Sequence, residues 1–169
     1  MNKEAKLGQL KKTCRVFAVI AKVFEVLGYI IAGLLLIFII IISTGASLMY
    51  FGLKLDDVGM IGGIWSLLQN KLDVSVAMPI FFVIMILLSL IVAYVMRKLN
   101  KLFKNINSAY SPFIPENVKL IKTIAIGMAI LTLIEVNVAT AVVTGFVIWA
   151  IALLFDYGCE LQNESDEII

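Results

Sequence analysis

The sequence predicts an all-α, polytopic integral membrane protein with four transmembrane helices and cytoplasmic N- and C-termini. Three observations carry that expectation. Of the 169 residues, 62% are hydrophobic, with a mean hydropathy of +1.03. The apolar residues fall in long runs, and Lys and Arg are confined to particular stretches between them. A chain with more apolar side chain than a soluble core of its length can bury finds its natural solvent in a bilayer. Four spans of about 20 residues each use roughly half of it, so a single membrane domain over 1–169 is expected.

The first helix is predicted over about 16–50. Its run from 26 to 42 carries no charge and continues through Ser43, Thr44, Gly45 and Ser47 to Tyr50 and Phe51. That is longer than the roughly 7 to 15 apolar residues of a signal-peptide core, so a retained span is expected. Ahead of it Leu7, Leu10, Cys14, Phe17, Ala21 and Phe24 recur at alternating intervals of three and four. Lys6, Lys11, Lys12 and Arg15 fall between them. The pattern predicts a helix that begins before the membrane and rests a basic face on anionic headgroups.

The outer connection, 51–75, holds Val58, Ile61, Ile64, Trp65, Leu67 and Leu68, spaced for a short helix in the interface with Trp65 at headgroup level. Asp56 and Asp57 are adjacent among Gly59, Gly62 and Gly63, which suits a solvated loop better than a pair of catalytic acids. The second helix, about 76–106, places Pro79 in its first turn, where a missing N–H costs nothing. It continues past the membrane as an amphipathic extension carrying Arg97, Lys98, Lys101 and Lys104.

After an inner connection at 107–114, Pro115 and Glu116 announce the third helix, about 115–134, with proline at a favoured first position and an acid at the positive end of the helix dipole. The fourth, about 139–161, follows after Glu135, Val136 and Asn137, so the last two helices must form a tight antiparallel hairpin. Small residues at Ala125, Gly127 and Ala129 on one arm, and at Ala141 and Gly145 on the other, favour close packing between them. An acidic tail occupies 162–169.

The net charge of +2 conceals a segregation. Residues 1–25 hold six Lys/Arg and two Glu, and 97–122 hold six Lys/Arg and one Glu. Residues 156–169 hold five acids and no base. The positive-inside rule weighs Lys and Arg near span ends and nearly ignores acids. It therefore places both basic stretches, and with them both termini, in the cytoplasm.

Chemistry is sparse. The chain has no His and only two cysteines, Cys14 and Cys159, which in this topology both face a reducing compartment and form no disulfide. No activated nucleophile, paired acid site or metal-ligand spacing is visible, so neither an enzyme nor a cofactor is expected. Two acids lie near membrane depth, where an ionisable group is a functional candidate. Glu25 has Lys22 three residues earlier on the same helix face, and Glu135 is the intramembrane candidate, placed at the outer end of its helix. In the tail, Asp156, Glu160 and Glu164 recur every four residues. On one helix such a stripe repels itself and opposes the helix dipole, so it calls for cations. Lys98, Lys101, Lys104, Lys119 and Lys122 can supply them within the chain, and a basic partner protein can supply them from outside.

Two stretches, SPFIPENVKLIK at 111–122 and FDYGCELQNESDEII at 155–169, together resemble a family of small bacterial four-helix membrane proteins known only as a domain of unknown function, number twenty-nine seventy-five. The likeness covers the second half of the chain; the first half matches only in hydropathy. The family pattern usually has Thr before the second proline, where its oxygen would cap the third helix. Ile114 stands there in this chain, which removes a cap worth about 1 kcal/mol and shifts the turn onto Pro112, Phe113 and Asn117. The family's hairpin also tends to have a longer outer connection than this one. The resemblance implies a gene setting in which the membrane protein is paired with a small helix-turn-helix DNA-binding protein of the Cro/Xre type.

The resulting expectation is a non-enzymatic membrane regulator that binds or sequesters such a transcription factor, with the lipid bilayer as its other partner, no direct contact with nucleic acid, and oligomerisation allowed. The docking face would combine Arg97, Lys98, Lys101 and Lys104 with the turn residues Pro112, Phe113, Pro115, Glu116 and Asn117. The acids Asp156, Glu160, Glu164, Asp166 and Glu167 would complete it. Two alternatives stand beside it: a small transporter or efflux component using Glu135 as coupling acid, and an immunity protein against a membrane-active peptide, for which the 50–75 connection would matter most.

Overall fold

Apolar runs of this length can satisfy their backbone in lipid only as helices, and helices are what the computed structural model contains. It describes residues 3–43, 59–108, 112–135 and 138–167. Five helices follow one another: α1 Lys3–Ser43, α2 Gly59–Lys71, α3 Val74–Ser108, α4 Pro115–Glu135 and α5 Val138–Glu167. Among the described residues there is no strand. All but α2 are long and apolar enough to cross a membrane, and the chain is a multi-pass α-helical membrane protein.

The boundaries differ from the sequence expectation in informative ways. The segment 44–50, expected to complete the first span, lies outside the described residues, as do Asp56, Asp57 and Val58. At about 1.5 Å per residue, α1, α3 and α5 with 41, 35 and 30 residues run roughly 62, 53 and 45 Å. A hydrocarbon core is about 30 Å thick, so each has several turns to spare. The acidic segment expected to leave the fourth span near 162 is helical through Glu167. Helix α3 begins five residues before Pro79, because the Asp73 carbonyl accepts hydrogen bonds from the Val76 and Ala77 amides, each at 2.9 Å. Pro79 therefore lies inside the helix, not in its first turn, and leaves the Ser75 carbonyl without its helical donor.

The spanning helices pack in chain order as an antiparallel row, α1 on α3, α3 on α4 and α4 on α5, with no extended α1–α5 interface among the described residues. Phe17 meets Phe103 with ring centroids 5.5 Å apart, and at the other end Phe38 stacks on Phe82 at 6.2 Å. The buried face of α1 takes only the small members of the apolar stripe read from the sequence, Cys14 and Ala21, while Leu10, Phe17 and Phe24 remain 44, 48 and 51% exposed. What α1 buries is Cys14, Ala18, Ala21, Glu25, Gly28 and Ala32. Lipid solvates a Phe as well as a protein core does, so helix association favours small residues that let two backbones approach. At Gly28 a Cβ would sit 3.0 Å from that of Ala93 and 3.2 Å from the Ser89 carbonyl oxygen. Two hydrogen bonds pin this seam. Ser89 Oγ donates to the Gly28 carbonyl at 2.8 Å, and Asn100 Nδ2 to the Ala18 carbonyl at 2.9 Å.

The main apolar cluster joins Val95 and Leu102 of α3 to Leu120, Ile121 and Ile124 of α4 and Ala152 of α5. Gly127 faces Val95, whose Cγ2 occupies the place a Cβ would need. Gly127 thus serves the α3–α4 contact and not the hairpin, where Ala129 and Gly145 meet instead. Helix α2 packs on α3 through Trp65, which is 5% exposed and clusters with Ala77 and Phe81. The indole meets the Phe81 ring edge-on at 5.4 Å. Trp65 thereby anchors α2 to α3, with the small Ala77 beside it in the same buried cluster.

The turn into α4 is built on Asn117, which is fully buried. Its Nδ2 donates to the Pro112 carbonyl at 2.8 Å, its Oδ1 accepts from Asn105 Nδ2 at 3.1 Å, and its amide donates to the Ile114 carbonyl at 2.9 Å. A side chain in the first turn thereby ties the turn to α3, in place of a capping oxygen at Ile114.

Asn117→Ala removes the acceptor of the Asn105 amide and the side-chain donor to the Pro112 carbonyl. A loss of about 1–3 kcal/mol is expected, read as a lower thermal midpoint in detergent. The row makes a second prediction. With Cys14 and Cys159 replaced by Ala, cysteines introduced at Phe17 and Phe103 cross-link on mild oxidation. The natural pair, on helices at opposite edges, forms no bridge within a monomer.

Candidate functional site

Charge gathers at one end of the row because the helices alternate in direction and each carries its polar residues at the same end. Ion pairs tie neighbours together at this level. Lys101 of α3 meets Glu116 of α4 at 2.7 Å and Lys122 of α4 meets Asp156 of α5 at 3.2 Å, while Lys22 reaches forward to Glu25 within α1 at 3.1 Å. The Glu25 side chain is only 7% exposed whereas Lys22 reaches out at 56%. A buried carboxylate held by a snorkelling lysine is an inexpensive way to keep an acid near lipid. The basic stretch and the acidic end of the chain therefore emerge at the same end of the molecule.

They do not merge into one face. Arg97, Lys98, Lys101 and Lys104 line a cleft of about 440 Å³ together with Lys22 and Glu25, on the α1 side of α3. Lys98 also lies over the Tyr94 ring, 5.0 Å from its centroid. The acids lie across the row on α5. Among the described residues, Lys122 alone of the five lysines expected to neutralise the acidic stripe does so, at Asp156. Among the described residues Glu160 and Glu164 are exposed and make no ion pair. Tyr157 and Leu161, one position on from Asp156 and Glu160, are 59 and 48% exposed. Asp166 and Glu167 fall in the last turn of α5, and Glu135 closes α4; the side chains of all three lie outside the described ones.

The turn residues divide in the same way. Pro115 begins α4, Glu116 is taken by Lys101, and Asn117 is an internal strut. Pro112 lends its carbonyl to that strut, while Phe113 crosses to α5, where its ring stands 5.3 Å from that of Phe155 and covers Gly158. Any side chain at 158 would collide with the ring, so this glycine lets the turn clasp the base of the acidic stripe. Sequence reasoning missed Asn100, Asn105 and Gly158. The asparagines did carry a signal, since an amide spaced among apolar residues of an amphipathic helix calls for a partner.

The described hydroxyls with hydrogen bonds do structural work. Thr13, Thr123 and Thr132 each donate to the carbonyl four residues earlier, and Ser89 donates to α1. Among the described residues no three Cys, Asp or Glu converge as metal ligands do. The arrangement is suited to recognition by charge.

The class defined by this geometry is a multi-pass helical membrane protein with a charged helical extension at one end. No family model, curated protein or solved structure matches the chain, so the resemblance of its second half to the four-helix bacterial family rests on the two motifs at 111–122 and 155–169 alone.

A charge swap tests the α4–α5 clasp. Lys122→Glu sets two carboxylates against each other and lowers the thermal midpoint, by about 1 kcal/mol or less because the pair is part-exposed. Adding Asp156→Lys in the same chain restores it.

Proposed function

We propose that the chain is a non-enzymatic regulator of the bacterial cell membrane, oriented with its charged end in the cytoplasm. In this reading it holds a small helix-turn-helix DNA-binding protein on the projecting end of α5 and limits that protein's access to DNA. The orientation follows the weight of Lys and Arg at that end. The observation that carries the docking is the pair Glu160 and Glu164, exposed and without an ion pair among the described residues, beside the exposed Tyr157 and Leu161. Like charges spaced four apart near a helix C-terminus destabilise it, and a basic partner relieves that cost. DNA-binding proteins carry basic surfaces, and a surface turned to these acids is not turned to phosphate. The family resemblance supplies the identity of the partner; charge and exposure supply the place.

This docking face is narrower than the sequence suggested. Lys101 and Lys122 are engaged within the chain, and Arg97, Lys98 and Lys104 line the cleft on the α1 side. The transport and immunity alternatives turn on Glu135 and on the 50–75 connection, where the Glu135 side chain and the first half of the connection lie outside the described residues.

The double charge reversal Glu160→Lys with Glu164→Lys leaves folding intact, because both side chains are exposed. It abolishes co-purification of the regulator from detergent and releases its effect on a reporter gene. Unchanged binding and unchanged reporter output would rule the docking site out.

A further inference from the structure

On the opposite edge of the row from α5, α1 and α3 leave a groove of about 560 Å³ between them, within the roughly 300–1,000 Å³ typical of ligand sites. Its two ends differ in chemistry. Toward the apolar stretch of α1 its wall is Val23, Val26 and Leu27, all exposed. Toward the charged end it is rimmed by Arg15, Lys22 and Lys104, with the amides of Asn100 and Asn107 beside them. The neighbouring cleft shares Lys22, Asn100 and Lys104 and adds Arg97, Lys98 and Lys101. Six basic side chains thus face two carboxylates, Glu25 and Glu116, each already held by a lysine. Arg15 and Lys104 are exposed and make no ion pair among the described residues.

We propose that this groove binds one anionic phospholipid, its phosphate between Arg15, Lys22 and Lys104 and an acyl chain along Val23, Val26 and Leu27. The order of polar and apolar lining matches the way a lipid stands in its own leaflet, so the ligand enters sideways from the bilayer without leaving it. Basic pockets between spanning helices are a recognised setting for anionic headgroups. The surplus of positive charge selects against a zwitterionic lipid, whose choline would add to it. Asn100 has a place in this arrangement beyond packing: its bond to the Ala18 carbonyl fixes the α1–α3 spacing at the level where the phosphate would lie. The site is independent of the acidic stripe on α5.

The experiment uses the full chain, delipidated in a neutral detergent and titrated with phosphatidylglycerol or with phosphatidylcholine of the same acyl chains. Native mass spectrometry counts bound lipid, and the thermal midpoint reads the linked stabilisation. One phosphatidylglycerol per chain is expected, with a raised midpoint, and little effect from phosphatidylcholine. Arg15→Gln with Lys104→Gln should weaken binding about thirtyfold, since each basic residue near an anionic surface is worth about 1 kcal/mol. Lys119→Gln, on α4 and outside the groove, should not. Val26→Trp fills the apolar end without altering charge and should also reduce occupancy. Equal binding of the two lipids would overturn the proposal. So would equal loss in the Lys119→Gln chain, full binding by Val26→Trp, or displacement of the lipid by millimolar glycerophosphoglycerol, which has the headgroup but no chain.

Discussion

The structure depends on how closely two helices can approach in a solvent that does not push them together. Lipid tails are as apolar as Leu or Phe, so contact between large apolar side chains gains little over contact with lipid. The α1–α3 seam meets that constraint by burying Ala18, Ala21 and Ala32 and setting Gly28 against Ala93, and adds the two hydrogen bonds from Ser89 and Asn100 to α1 carbonyls. Such bonds hold register as well as distance, since each requires one residue of α3 to meet one residue of α1. The same logic recurs where Gly127 receives Val95 and Gly158 receives Phe113.

With register held, charge falls into place. Lys22 and Glu25 share a cleft with Arg97, and Lys122 joins Asp156 across the next contact but one. These residues form a belt where the apolar runs end, and α1, α3 and α5 continue past it at that same end of the row. Helix α4 has no such surplus and begins at that level with a turn that needs internal bracing. Asn117 provides it, and its amide bond with Asn105 joins the turn to α3.

A row has two edges, and here they differ in sign. The α1–α3 edge concentrates cations over an apolar wall, while the α5 edge presents carboxylates beside Tyr157 and Leu161. The two proposed partners, an anionic lipid and a basic protein, therefore meet separate helices and do not compete for space. Lys101 and Lys122, spent on Glu116 and Asp156, keep those edges apart by neutralising the middle of the row.

Four spans, the tight α4–α5 hairpin, the start of α4 at Pro115 and the helical overrun of α3 were all legible in the chain, because hydropathy, proline position and charge spacing act residue by residue. So was the gathering of Lys and Arg near one set of helix ends. Tertiary structure alone decided that α1 buries Ala and Gly in preference to Leu10 and Phe24, that Trp65 settles on Ala77, that Gly127 belongs to Val95, and that only Lys122 answers the acidic stripe. Those outcomes are pairwise. A hydrophobic pattern marks which residues avoid water, but in a bilayer lipid and protein avoid it equally well, so only the contours of the facing helix determine which apolar side chains meet it.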